Sequence, residues 1–122
     1  MPDYRYYVEN YLGEDIPEGD FPRLIRRAQA ELARMRDVYA VTPRPGLDPT
    51  EANAMAACAV ADAMYEFDQE DAVRGLTNVT VGSVSETYAA PPELCPATLA
   101  QRAAHYRHEA GYYLQIGRWV HG

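Results

Sequence analysis

Residues 48–72 read DPTEANAMAACAVADAMYEFDQEDA, and this stretch decides the fold class. Asp48 is a good N-cap, Pro49 suits a first helical position where its missing N–H costs little, and Glu51 stands three residues after the cap. Ala52, Met55, Ala56, Ala59, Ala63 and Phe67 then recur at steps of three or four and mark an inner face. The pattern predicts a helix from Thr50 to about Ala72, about 33 Å long at the usual rise per residue. Its many alanines let neighbouring helices approach closely, so it is expected to be the central helix of a bundle.

Upstream, TPRPG (42–46) cannot continue a helix and reads as a loop. Before it, Asp20 is placed to cap a second helix, with Pro22 in the first turn. Phe21, Leu24, Ile25, Ala28, Leu32, Met35 and Tyr39 form its apolar side, and Arg23, Arg26, Arg27, Arg34 and Arg36 fall mainly on the other. Such arginines read either as a solvated face or as a contact for a neighbour's carboxylates. The chain opens with a short helix capped by Asp3, for which Gly13 is the candidate C′ residue. Tyr4, Tyr7 and Tyr11 lie at i, i+3 and i+7, a packing face with hydroxyls at its rim or, alternatively, a partner contact. The linker GEDIPEG (13–19) that follows is acidic.

Downstream, Gly75 is expected to stop the central helix, and LTNVTVGSVSETY (76–88) has no helical period. Val79 and Val81 alternate with threonines before Gly82-Ser83, and Val84, Glu86 and Tyr88 alternate after it, which predicts a short β-hairpin or extended flap over 75–93. A two-stranded hairpin is marginal alone, so the flap needs a helix or a neighbouring subunit to lie on. After AAPPELCP (89–96) a last helix is predicted from Ala97 to Ile116, with Leu99, Ala103, Tyr106, Ala110, Tyr113 and Leu114 at helical spacing. Gly117 then reads as a C′ residue, leaving 117–122 as a short tail that carries the single tryptophan, Trp119. The expected fold is mainly α: a small bundle of about four helices, with one hairpin or flap between the last two long helices.

The 122 residues are 48% hydrophobic and 24% charged, which fits one globular domain. Eighteen acidic against eleven basic side chains give a formal charge of −7, which argues against a module that binds nucleic acid by neutralising phosphates. Every basic side chain is arginine, so lysine-based Schiff-base chemistry and a P-loop lysine are excluded. No amino-terminal stretch reads as a signal peptide and no apolar run approaches the ~20 residues that span a bilayer, so the chain is expected to stay inside the cell that makes it. Cys58 and Cys95 are expected to be reduced, small apolar side chains. His105, His108 and His121 with Cys95 offer no zinc-ligand spacing, and no catalytic motif is present. Glu14-Asp15 and Glu70-Asp71 read as solvated carboxylates, and His105 with His108 as a solvent-facing strip.

Several segments in order resemble one family. They are the aromatic first helix with its acidic turn, DFPRLIRRAQAEL (20–32), ACAVADAMYEF (57–67), VTVGSVSETY (79–88) and HYRHEAGYYLQIGRWVHG (105–122). Together they resemble the head-to-tail connector, or adaptor, proteins of long-tailed bacteriophages, the head-completion family that docks on the portal. The matching features are Met64-Tyr65 at the end of the alanine-rich helix, the extended stretch Val81 to Ser85, and Tyr113-Leu114 followed by Ile116 to Gly122. The chain departs from the family at Ile116, where threonine is common, and at Trp119 and His121.

The resemblance implies a non-enzymatic structural protein of the virion neck, with residues 1–122 as a single head–tail adaptor domain. It would form a ring of about twelve copies, held by heterologous contacts that close by rotation. The ring would sit between the portal and the stopper, extend the DNA channel, and need no cofactor and no metal; it would be made in the host cytoplasm. Tyr113, Gly117, Arg118, Trp119 and Val120 would meet the portal, with Arg118 and Trp119 as anchors. Subunit contacts would draw on Arg23, Arg26, Arg27 and Arg34, on Glu14 and Asp15, and on Val79, Val81 and Val84 of the flap. Acidic walls share the sign of DNA, so the genome would pass through without specific binding. The competing expectations are a stopper or tail-completion protein of the same neck and a small helical protein-binding regulator.

Overall fold

The helix opened by Asp48 runs from Pro49 to Thr80 in the computed structural model of the chain, which describes residues 1–80 and 98–117, without the side chains of 74–80. Around this helix, α3, the described elements are α1 (Tyr4–Glu9), α2 (Phe21–Val38), β1 (Ala40–Pro43), α4 (Leu99–Ala110) and β2 (Leu114–Gly117). The fold is mainly helical, with one small antiparallel sheet. No helix among the described residues is long and apolar enough to cross a membrane.

The start of α3 follows the sequence signals. The Asp48 carboxylate accepts from the Glu51 N–H at 3.1 Å, and the Ala52 N–H donates to the Asp48 carbonyl at 2.8 Å. The end does not. The helix passes Gly75 and reaches 32 residues, about 48 Å. One glycine inside a helix costs only about 1 kcal/mol, and extending an already nucleated helix is far easier than starting one. The first part of the expected flap, including Val79, therefore belongs to α3; Val81, Val84 and the rest of 75–93 lie outside the described residues.

The core is centred on α3, which packs against α2 and α4 and also meets both strands. Ala56, Ala57, Cys58, Ala59, Val60, Ala61, Ala63 and Met64 are all buried, so the helix is covered on several sides and not on a single stripe. Met55 and Phe67, read from sequence as inner-face positions, are only half-buried. Burial pushes the Cys58 thiol up to about 12, which makes it the inert apolar side chain expected. From α2, Phe21, Leu24, Ile25, Ala28, Leu32 and Met35 enter the core, as the spacing predicted.

The last helix is shorter than expected. It begins with a complete capping box at Thr98 and Gln101, whose side chains bond each other's backbone N–H groups at 3.0 and 2.8 Å. It stops at Ala110, and after a turn over 111–113 the chain becomes strand β2. β2 pairs with β1 antiparallel, Ala40 opposite Gly117 and Pro43 opposite Leu114. Tyr113 and Leu114 are therefore not helical, and Gly117 ends a strand and caps no helix. The pairing alternates as a half-buried sheet should: Val41 and Ile116 pack on the core and Leu114 is buried, whereas Thr42 and Gln115 face out. Arg44 locks the junction, its backbone N–H donating to the Tyr113 carbonyl at 3.1 Å and its Nε to the Gly111 carbonyl at 2.6 Å.

Candidate functional site

The first helix is a packing element. Tyr7 is fully buried against Tyr4, Tyr11 and Phe21, with ring centroids 5.3 to 5.8 Å apart. Its hydroxyl donates to Asp62 of α3 at 2.6 Å and accepts from the backbone N–H groups of Asp15 and Ile16 at 3.2 and 3.1 Å. The Tyr4 hydroxyl adds a bond to the Ile16 carbonyl at 3.0 Å. The acidic linker is thus pinned at Asp15-Ile16, with Ile16 in the core and the side chains of Glu14, Asp15 and Glu18 exposed. The left-handed residue after α1 is Leu12 and not Gly13. Gly13 is needed for another reason: a Cβ there would overlap the Tyr7 ring.

Asp62 is the titrating group of this region. Burial raises its pKa above the ordinary 3.8, the Tyr7 hydrogen bond lowers it, and Asp15, Glu66 and Glu109 raise it further. The folded chain therefore keeps a proton on Asp62 to higher pH than the unfolded chain does. The contribution to stability is complete below the ordinary carboxylate value and is lost as pH rises through the raised folded value. Asp62→Asn keeps an acceptor for the Tyr7 hydroxyl and removes the charge. Denaturant melts from acid to neutral pH are expected to show a flatter decline for this variant than for the wild-type chain. An unchanged slope would mean that the decline comes from other carboxylates.

The arginines of α2 are divided. Arg23 and Arg27 reach Asp68 of α3 at 3.5 and 3.0 Å, so both are engaged within their own chain. Arg34 lies 4.0 Å from Glu31, and Arg26 has no ion pair among the described residues. On the other flank Arg102 holds Asp71 through two bonds of 3.0 and 2.7 Å while its guanidinium covers Phe67, so Asp71 is not the purely solvated carboxylate expected. Exposed pairs of this kind contribute up to about 1 kcal/mol each and chiefly hold α2 and α4 in register on α3.

The surface that sequence reasoning missed lies where α4, the 111–113 turn and the sheet meet. A groove of about 430 Å³ is lined by Tyr39, Arg44, Arg107, His108, Tyr112 and Ile116, among others, and no carboxylate lines it among the described residues. The Arg107 guanidinium lies 5.2 Å over the Tyr39 ring, a cation–π contact. The His108 and Tyr112 rings meet edge to face at 5.5 Å, and Tyr112 is 60% exposed. The residues come from two segments far apart in the chain, 39–44 and 104–116, so only the arginine, histidine and tyrosines of 107–113 hinted at the groove.

Of the residues expected to meet the portal, Tyr113 is half-buried and packed on the core, and Gly117 is exposed at the end of β2. Arg118, Trp119 and Val120 lie outside the described residues, as does Cys95. No family model, no curated protein and no solved structure matches the chain.

Proposed function

We propose that the chain is a head-to-tail adaptor of a long-tailed bacteriophage, a structural subunit of the virion neck that assembles as a ring between the portal and the stopper and lets DNA pass without gripping it. The observation that carries this reading is the anchoring of β2. A segment that docks on another protein binds best when its start is held rigidly, because less freedom is lost on association. Tyr113 packs on the core, Leu114 is buried and the strand is paired to β1 through Gly117. Arg118, Trp119 and Val120 follow directly on that rigid strand and are the proposed portal contacts. The formal charge of −7 per subunit supports a conduit whose walls repel DNA.

The test is co-sedimentation of the purified chain with the portal of its own phage. An adaptor is expected to travel with the portal as a large ring. A chain that remains monomeric or dimeric in the presence of portal would favour the small helical regulator instead.

A further inference from the structure

We infer that the groove bearing Arg44, Arg107 and His108 is the acceptor half of the contact between neighbouring subunits, and that its occupant is the acidic linker Glu14–Glu18 of a second copy of this chain. The inference rests on the ring reading above and gives it a specific interface in place of the arginine face of α2.

Two observations on the free subunit converge. The first is the state of the cations. Arg23 and Arg27 already face Asp68, whereas among the described residues the Arg107 guanidinium meets only the Tyr39 ring, and Arg44 bonds backbone carbonyls through its N–H and Nε. No described carboxylate pairs with Arg44 or Arg107. In a chain with an excess of seven negative charges, two arginines and a histidine gathered in a groove that no described carboxylate lines suit an acidic ligand. The second is the state of the linker. Its backbone is held by the Tyr7 and Tyr4 hydroxyls, and Glu14, Asp15 and Glu18 are exposed without an ion pair among the described residues. A rigid, charged loop loses little freedom when it docks. Its exposed Pro17 also offers apolar surface to Tyr39 and Tyr112.

The two features lie on different flanks of one subunit. Ala104, Arg107, His108 and Gly111 turn one side of α4 to the groove. Glu109, two residues and about 200° from Arg107, faces the other way, within electrostatic reach of Asp62 and Tyr11. Asp62 is in turn within reach of Asp15. A subunit with base on one flank and acid on the other makes heterologous head-to-tail contacts, the kind that close into rings.

Sedimentation velocity of the full chain over a wide concentration range at low salt tests this. The wild-type chain is expected to form species larger than a dimer, which weaken as salt rises. Arg107→Glu/His108→Glu should raise the concentration needed for assembly by more than about tenfold, and so should Glu14→Arg/Glu18→Arg, whose side chains are exposed and leave the fold intact. An equal mixture of the two variants should assemble again, because each supplies the complement that the other lacks. Melting curves of both variants confirm that they are folded. A wild-type chain that stays monomeric throughout, a reversal variant that assembles like wild type, or a mixture no better than its components each overturns the inference. Co-sedimentation with portal is read separately: if it persists while the groove reversal has no effect, the adaptor reading stands and this interface is wrong.

Discussion

Alanine at Gly13 is expected to cost the fold about 3 kcal/mol or more, lowering the melting temperature by more than about 10 °C. The added methyl would occupy space filled by the Tyr7 ring. That ring cannot move aside cheaply, because it is fully buried against Phe21 and its hydroxyl serves Asp62, Asp15 and Ile16. Displacing it would leave the Asp15 and Ile16 N–H groups and the half-buried Asp62 carboxylate without their shared partner, each a loss on the order of 1 kcal/mol or more. Tyr7→Phe separates the two contributions: it keeps the ring, removes the hydroxyl and should cost about 2 kcal/mol. Thermal melts followed by circular dichroism provide the comparison. A Gly13→Ala chain that melts within about 2 °C of wild type would show that Tyr7 does not anchor the linker as described.

A chain ending at Gly117 should keep its fold and lose the portal. The described core, the β1–β2 pairing and the Arg44 bonds all lie at or before that residue, so helical content and melting temperature are expected to hold. Binding should fail because the truncation removes Arg118 and Trp119, residue types that commonly dominate interface energetics. Trp119→Ala alone should weaken portal binding by a factor on the order of 30 or more, corresponding to about 2 kcal/mol. Co-sedimentation with portal and the yield of infectious particles check both variants. Normal infectious particles from the truncated chain would overturn the assignment of this segment to portal docking. This outcome is independent of the groove, since the subunit contact inferred there uses only residues upstream of Gly117.

The helical core was legible because its signals are local. Asp48 with Pro49 and Glu51 marked the start of α3, and the apolar steps from Phe21 to Met35 marked the buried side of α2. The tyrosine spacing in α1 allows a packing face or a partner contact, and Tyr7 is fully buried in the core. The same local rules misread the regions where an isolated residue competes with distant structure. Gly75 looks like a stop but is absorbed by a long helix, and Tyr113 and Leu114 fit a helical period, yet Tyr113 lies in a turn and Leu114 is held in a strand opposite Pro43. The start of α4 also carries a local signal, since Thr98 with Gln101 spells the capping box that opens it.

The candidate sites divide in the same way. The acidity of 14–18 and the arginines of α2 could be read residue by residue, but which charges are already satisfied could not. Arg23 and Arg27 look equivalent to Arg26 in the sequence, yet only the first two lie opposite Asp68, some 40 residues away in the chain.

By itself the sequence determined that the chain is a predominantly helical domain with an alanine-rich centre and an acidic surface, because helix periodicity, caps and charge are properties of short stretches. Only the tertiary structure decided that residues 40–43 and 114–117 form a sheet, that Tyr7 pins the acidic linker to α3, and that Arg44, Arg107 and His108 share one groove. These arrangements depend on contacts between residues far apart in the chain, whose favourable free energy appears only after the bundle has brought them together.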